Sequence, residues 1–260
     1  MSTLHINAIA AFTDNYIWII HNGRYACVVD PGEKSPVSDY LHQNKLELRY
    51  ILVTHHHADH TGGVLDLAHE FGAKVFGPMG QIEGIDTYVG ENDVVNMPEL
   101  NWSLNVLEVP GHTMDHIAYV GQVKAGEYAL FCGDTLFSCG SGRLFEGDSK
   151  NMLQSLDKFK KIGENVLVYC AHEYTLSNIK WALTVEPDNP TLRSWQQQAM
   201  QLREQGIPTI PTLFEQELKM NPFLRVDQKG VWHAAERHVG HRLTTPSDVF
   251  TVLREWKNTF

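Results

Sequence analysis

The chain has 260 residues, 43% of them hydrophobic and 20% charged, and a formal net charge of −10. An acidic chain is a poor match for nucleic acid, which needs a clustered basic surface, and no apolar run approaches the ~20 residues that span a bilayer. Four scattered cysteines, Cys27, Cys132, Cys139 and Cys170, form no C-x-x-C pair and exclude a disulfide scaffold.

The opening Met1-Ser2-Thr3-Leu4-His5-Ile6 carries neither the basic nor the apolar region of a signal peptide, so a cytoplasmic location is expected. Apolar runs at 15–20 and 25–29 flank His21-Asn22-Gly23-Arg24 and read as a hairpin, the second run closing on Asp30-Pro31-Gly32. Another strand, Tyr50-Ile51-Leu52-Val53, runs directly into Thr54-His55-His56-His57-Ala58-Asp59-His60. Gly62-Gly63 then leads into a helical pattern of Val64, Leu65, Leu67, Ala68 and Phe71, stopped by Gly72 before the strand Lys74-Val75-Phe76. Strands are expected at 103–109, 117–120, 128–131 and 165–170. Met152, Leu153, Leu156, Phe159 and Ile162 form an amphipathic helix between the last two.

After Tyr174 the texture changes to long helical segments punctuated by Pro187, Pro190, Pro208, Pro211, Pro222 and Pro246. Thr245-Pro246-Ser247-Asp248 reads as the N-cap, N1 proline and N3 acid of a final helix. A first domain at 1–174 and a helical second domain at 175–260 are therefore expected.

The histidine run packs four candidate metal ligands into a short stretch. Alternation along an extended chain turns His55 and His57 to one side and His56 to the other, and the following turn carries Asp59 and His60 across the same cavity. Three more candidates each follow an apolar strand: His112 after Gly111, Asp134 after Gly133 and His172 after Ala171. Strand ends on one sheet edge converge, so ligands far apart in sequence can share one cleft. Neutral imidazoles with two carboxylates suit a pair of borderline divalent ions. Asp30 and His116 are candidates to anchor ligand rings from behind.

The T-H-x-H-x-D-H run, the G-H-T segment, C-G-D-T-L-F and C-A-H-E-Y-T resemble, in order and spacing, the glyoxalase II branch of the metallo-β-lactamase superfamily. The resemblance extends through Asn221-Pro222-Phe223-Leu224-Arg225 to the closing helix. It implies an α+β fold, an αββα metallo-β-lactamase sandwich followed by a smaller C-terminal helical domain that helps bind glutathione. It also implies two metal ions, zinc first and iron or manganese as alternatives, with His55, His57 and His112 on one and Asp59, His60 and His172 on the other. Asp134 is the implied bridge, and Asp59 and Asp134 are the carboxylates assigned to catalysis.

The implied reaction is hydrolysis of the thioester of S-(2-hydroxyacyl)glutathione by a hydroxide held between the metals, with the thiolate leaving unaided. Arg143, Arg254 and Lys257 would meet the carboxylates of glutathione, and Tyr174 and Asn178 would add a phenol and an amide. Phe145 stands where relatives carry tyrosine, which leaves packing as its contribution. A glutathione thioester is the expected partner, with no nucleic acid, no membrane and a monomeric chain. The rival branch, a glutathione persulfide dioxygenase, lacks the long helical C-terminal region. A vestigial regulatory module would have lost ligands, and all seven are here.

Overall fold

Near-continuous apolar runs early in the chain build a sheet whose inner strands are buried on both faces. In a computed structural model describing residues 4–260, β1 (His5–Ala11), β2 (Asn15–His21) and β3 (Tyr25–Val29) pair antiparallel. After α1 (Lys34–Asn44), β4 (Glu47–Leu52) adds parallel to β3. The short α2 (Ala58–Thr61) and α3 (Val64–Phe71) then lead to β5 (Lys74–Gly77) and β6 (Thr87–Tyr88), which extend the sheet in parallel. One face packs Ile17, Ile19, Val28, Ile51, Val53 and Val75 against Val37 and Leu41 of α1 and Val64 and Leu67 of α3. Such two-sided burial is what parallel strands require.

A second, antiparallel ladder joins β7 (Val94–Met97), β8 (Trp102–Glu108), β9 (Ile117–Lys124) and β10 (Glu127–Gly133) in chain order. The buried Tyr119 of β9 donates its hydroxyl to Val53 O at 2.9 Å and Phe76 O at 3.3 Å. Ile117 N donates to Thr54 O at 2.9 Å. These bonds tie the second ladder to the ends of β4 and β5, where the histidine run begins. Tyr50 adds a hydroxyl bond to Glu99.

β1 and α1 escape the sequence patterns for separate reasons. β1 sets its two isoleucines, Ile6 and Ile9, among alanines and polar residues, which makes a weak pattern, and it is held by its full register with β2. α1 has Pro36 in its first turn, where the missing N–H is harmless, and only Val37, Ser38 and Leu41 are buried.

The described residues form two compact units. The first runs to Val109 and resumes at Asp115–Gly133; the second holds Pro110–Met114 and Asp134–Phe260. The second contains the small β11 (Leu136–Phe137) and β12 (Gly140–Ser141) pair, α4 (Ser149–Ile162), β13 (Val166–Cys170), α5 (Thr175–Val185) and α6 (Pro190–Glu204). β14 (Thr212–Leu213), α7 (Phe214–Met220), α8 (Lys229–Val239) and α9 (Pro246–Asn258) complete it. Texture changes after Tyr174, whereas contacts divide the chain at Gly133. The reason is shared packing: β14 pairs with β13, and α9 lies on α4, with Ser149 and Thr251 hydroxyls 2.6 Å apart.

α9 begins as its sequence foretells. Thr245 accepts from Asp248 N at 3.1 Å while the Asp248 carboxylate accepts Thr245 N at 2.9 Å. The core of this unit stacks Trp181 on Phe223 and packs Phe223 at a tilt against Phe250, each pair at 5.0 Å. Burying an aromatic ring of this kind contributes roughly 1.5–3 kcal/mol. All four cysteines are buried free thiols. Among the described residues no helix is long and apolar enough to cross a membrane.

Candidate metal centre

Within the first unit, Asp30 at the end of β3 organises the histidine run. It adopts a left-handed backbone, φ 53°, and its Oδ1 accepts Thr54 N at 2.7 Å. Its Oδ2 accepts the Thr54 hydroxyl at 2.7 Å and lies 3.0 Å from His60 Nδ1. The Thr54 hydroxyl in turn sits 3.0 Å from His55 Nδ1. With these Nδ1 atoms engaged, the other ring nitrogens are left to face the cavity: His55 Nε2 stands 3.1 Å from His57 Nδ1, and His60 Nε2 stands 3.5 Å from Asp59 Oδ2.

Asn15 donates its amide to Asp59 Oδ2 at 3.0 Å and so orients that carboxylate. Gly32 allows the turn to close: a Cβ there would stand 1.9 Å from Asp59 O. His56 points elsewhere, its Nδ1 3.0 Å from Asp115 Oδ1, as alternation requires. His116 stacks on His55 at 4.5 Å and places its Nδ1 3.0 Å from Ile117 O. It supports the candidate ligand ring of His55 by contact.

Within the second unit, the Asp134 carboxylate lies between two imidazoles. Oδ2 is 3.4 Å from His112 Nε2, and Oδ1 is 3.3 Å from His172 Nε2. His112 Nδ1 is 2.8 Å from Arg143 O, and because a carbonyl can only accept, Nδ1 carries the proton, so the lone pair of the neutral ring is on Nε2. Gly142 makes this approach possible, since a Cβ would stand 2.0 Å from Asp134 O and 3.1 Å from His112 Nδ1. Tyr174 stacks on His172 at 4.7 Å.

The donors fit divalent cations. Lone pairs of imidazoles and carboxylates crowd at 3.1–3.5 Å in both units, with the opposite ring nitrogens of His55, His60 and His112 anchored from behind, the usual support of metal-bound histidines. Ligand atoms of Asp30, His55 and His60, all buried, lie within 4.8 Å of one another.

The substrate-side candidates divide by environment. Arg143 is exposed, and Phe145 is 63% exposed with its ring edge-on to His112 at 5.3 Å. Arg254 is 5% exposed and donates Nη1 to Ser141 O at 2.6 Å and Nε to Asn258 Oδ1 at 3.0 Å. Burial, then the charge of Arg143, lowers its guanidinium to about 10. Lys257 is half-buried with its ammonium 5.7 Å over the Trp181 ring; burial, then Arg254 and Arg143, lowers it to about 8. Asn178 is 1% exposed, and its amide donates to Ser138 O at 2.9 Å. The i,i+4 spacing brings Tyr174 and Asn178 to the same turn, where Tyr174 meets a ligand ring and Asn178 a loop backbone.

The sequence patterns passed over Asn15, Thr54, Glu217 and Asn221. Thr54 had a usable signal as the residue opening the histidine run, and Asn221 as the first residue of the Asn221-Pro222-Phe223-Leu224-Arg225 segment; Asn15 and Glu217 had none, because each acts on a segment far along the chain.

Two family models match the chain: the metallo-beta-lactamase superfamily over residues 11–172, and the hydroxyacylglutathione hydrolase C-terminus over residues 173–260. A hydroxyacylglutathione hydrolase from Nitrosomonas eutropha is 47% identical over 253 residues, 97% of each chain. The chain belongs to the hydroxyacylglutathione hydrolase family. Another family member, from Nitrosomonas europaea, is 45% identical over 99% of this chain and 97% of its own. A metallo-beta-lactamase from Staphylococcus aureus, 18% identical, superposes with a TM-score of 0.64 over 98% of this chain and 71% of that one. That likeness speaks to the fold. This hydroxyacylglutathione hydrolase family member thus has the expected metallo-beta-lactamase sheets and C-terminal helical region, with His/Asp clusters suited to divalent metal.

Asp30 offers a direct test of the support behind the ligands. Asp30→Asn tolerates the left-handed backbone but can no longer accept from Thr54 and His60 together. Metal affinity measured by chelator competition is expected to fall about 10–100-fold with far-UV dichroism unchanged; unaltered affinity would remove Asp30 from the centre.

Proposed function

We propose that the protein hydrolyses the thioester of S-(2-hydroxyacyl)glutathione, chiefly S-D-lactoylglutathione, to D-lactate and glutathione, in methylglyoxal detoxification. The observation that carries this reading is Asp134 with one oxygen toward each of two imidazoles, in a chain matched along 97% of its length by a protein named hydroxyacylglutathione hydrolase. On the family pattern, His55, His57 and His112 would hold one divalent ion, Asp59, His60 and His172 would hold a second, and Asp134 would serve both. Zinc is the first choice, with iron or manganese as alternatives, since imidazole and carboxylate suit all three.

When bound, the ions supply Lewis acidity to the thioester carbonyl and to water. The chain does the rest. Its neutral imidazoles leave that Lewis acidity largely intact, and the anchors at Asp30 and Arg143 O keep the rings aimed. Asp59, oriented by Asn15, holds its carboxylate ready to take a proton from water. A thiol of pKa near ~8.5 leaves as thiolate, so no general acid is required.

Arg143 and Lys257 attract the carboxylates of glutathione, and Arg254 adds charge from its buried position. Phe145 packs against the substrate, Tyr174 contacts it beside His172, and Asn178 keeps the Ser138 backbone in place. The protein works as a monomer in the cytoplasm.

The test is hydrolysis of S-D-lactoylglutathione by purified protein, with bound metal quantified and a chelator-treated control. Fast turnover that chelation abolishes is expected. A protein holding about two metals per chain with no turnover would overturn the substrate, and oxygen uptake on glutathione persulfide would then identify the rival branch.

A further inference from the structure

Within the second unit, the segment linking Asp134 to Arg143 is held by buried side chains that belong to the helices. Asn178 of α5 donates to Ser138 O at 2.9 Å, and Trp195 of α6 donates its indole N–H to the Ser138 hydroxyl at 3.0 Å. Arg254 of α9 donates to Ser141 O at 2.6 Å. At the centre is Glu217 of α7, 0% exposed. Its Oε2 accepts Cys139 N at 2.9 Å and Asn221 Nδ2 at 3.1 Å, and its Oε1 accepts the Thr212 hydroxyl at 2.9 Å. Asn221 uses the same amide to reach Phe137 O at 3.1 Å and Gly140 O at 3.0 Å.

The turn at the centre of this network is strained. Cys139 has φ 56°, a left-handed conformation that costs a non-glycine residue roughly 1–2 kcal/mol and persists only where neighbours hold it. Downstream, Gly142 N donates to Thr135 O at 3.3 Å, and Arg143 O accepts from His112 Nδ1 at 2.8 Å. A continuous run of backbone therefore leads from the Glu217 carboxylate to a ligand ring and to the exposed Arg143.

We propose that Glu217 is a positioning residue for the metal centre: by holding the Cys139 turn, directly and through Asn221, it sets the Arg143 carbonyl that aims His112 and the Arg143 side chain that meets substrate. Burial pushes the Glu217 carboxyl up to about 6, opposed by the donors around it, so it remains mostly ionised at neutral pH and acts as an acceptor. The surrounding groups donate to it, and an apolar residue of the same volume would leave their hydrogens without an acceptor.

Glu217→Met, Glu217→Asp and Glu217→Gln test this, with zinc affinity by chelator competition, KM and kcat on S-D-lactoylglutathione, and Tm. Met keeps the volume and removes the acceptor, Asp keeps the charge but withdraws it from Cys139, and Gln keeps one oxygen for Cys139 N and Asn221. Zinc affinity is expected to fall about 10–100-fold in the Met variant, less in the Asp variant, and to return within about twofold of the parent in the Gln variant, with KM following. The KM arm rests on the glutathione-thioester reading; the zinc arm does not. Should the Met variant fail to fold, the Asp variant alone decides. A folded Met or Asp variant with lowered Tm but parental zinc affinity and KM would overturn the proposal, because a merely structural role predicts that result.

Discussion

Asp134→Ala is expected to lose bound metal and turnover together. The carboxylate directs Oδ2 to His112 and Oδ1 to His172, at 3.4 and 3.3 Å, so its removal takes a donor from two places at once. It also leaves two imidazoles facing each other without the anion that separates them. Loss of several kcal/mol of metal-derived stabilisation corresponds to a fall of roughly 10³-fold or more in kcat/KM. Metal per chain should drop below about one on the same samples, since a two-metal centre depends on its shared ligand. Two retained metals with parental turnover would overturn the proposed bridging role of Asp134.

Lys257→Met should weaken substrate binding while stabilising the fold. A charged hydrogen bond to a carboxylate is worth about 1.5–3 kcal/mol, so KM for S-D-lactoylglutathione is expected to rise about tenfold or more with kcat nearly unchanged. The pH dependence has a definite sign. Lys257 titrates at about 8 in the folded protein, lowered from 10.5. Parental KM therefore rises as pH passes about 8 and the ammonium is lost, and the Met variant should be flat there. Equal KM-against-pH curves for the two proteins would dismiss the role.

Stability follows the same linkage. Between the folded and unfolded pKa values the unfolded chain binds the extra proton, so stability rises with pH over that window. Below about 8 the buried ammonium opposes folding, and the Met variant should melt higher at pH 7. A gain of roughly 2–4 °C is what about 1 kcal/mol produces in a chain of this size. Arg254 is a poorer probe, because Arg254→Ala would also strip the donor from Ser141 O.

The candidate ligands were legible because most of them lie just past the end of a strand. A histidine run after Leu52, Asp134 after β10 and His172 after β13 are local patterns, and local patterns survive in the chain. Helix entry at Thr245 was legible for the same reason, since its capping box spans one turn. β1 was not, because its apolar residues are few and its place is fixed by pairing with β2.

The depth of side chains was equally hidden. Arg254 and Lys257 share a helix face by spacing, yet one is bonded to a loop carbonyl and the other sits over the Trp181 ring. Asn178 looks like a site amide in sequence and is bonded to the Ser138 backbone in the fold.

From sequence alone came the family, the fold class, the candidate ligands and the turning away of His56, all of which rest on residue type and short-range periodicity. Asp30 was a candidate anchor in the sequence, but only the tertiary structure decided that its partners are Thr54 and His60, and it alone showed Asn15 on Asp59, the Arg143 carbonyl on His112, and Glu217 beneath the Cys139 turn. Each of these is a hydrogen bond between residues distant in the chain, with a direction set by packing, and no local pattern encodes that direction.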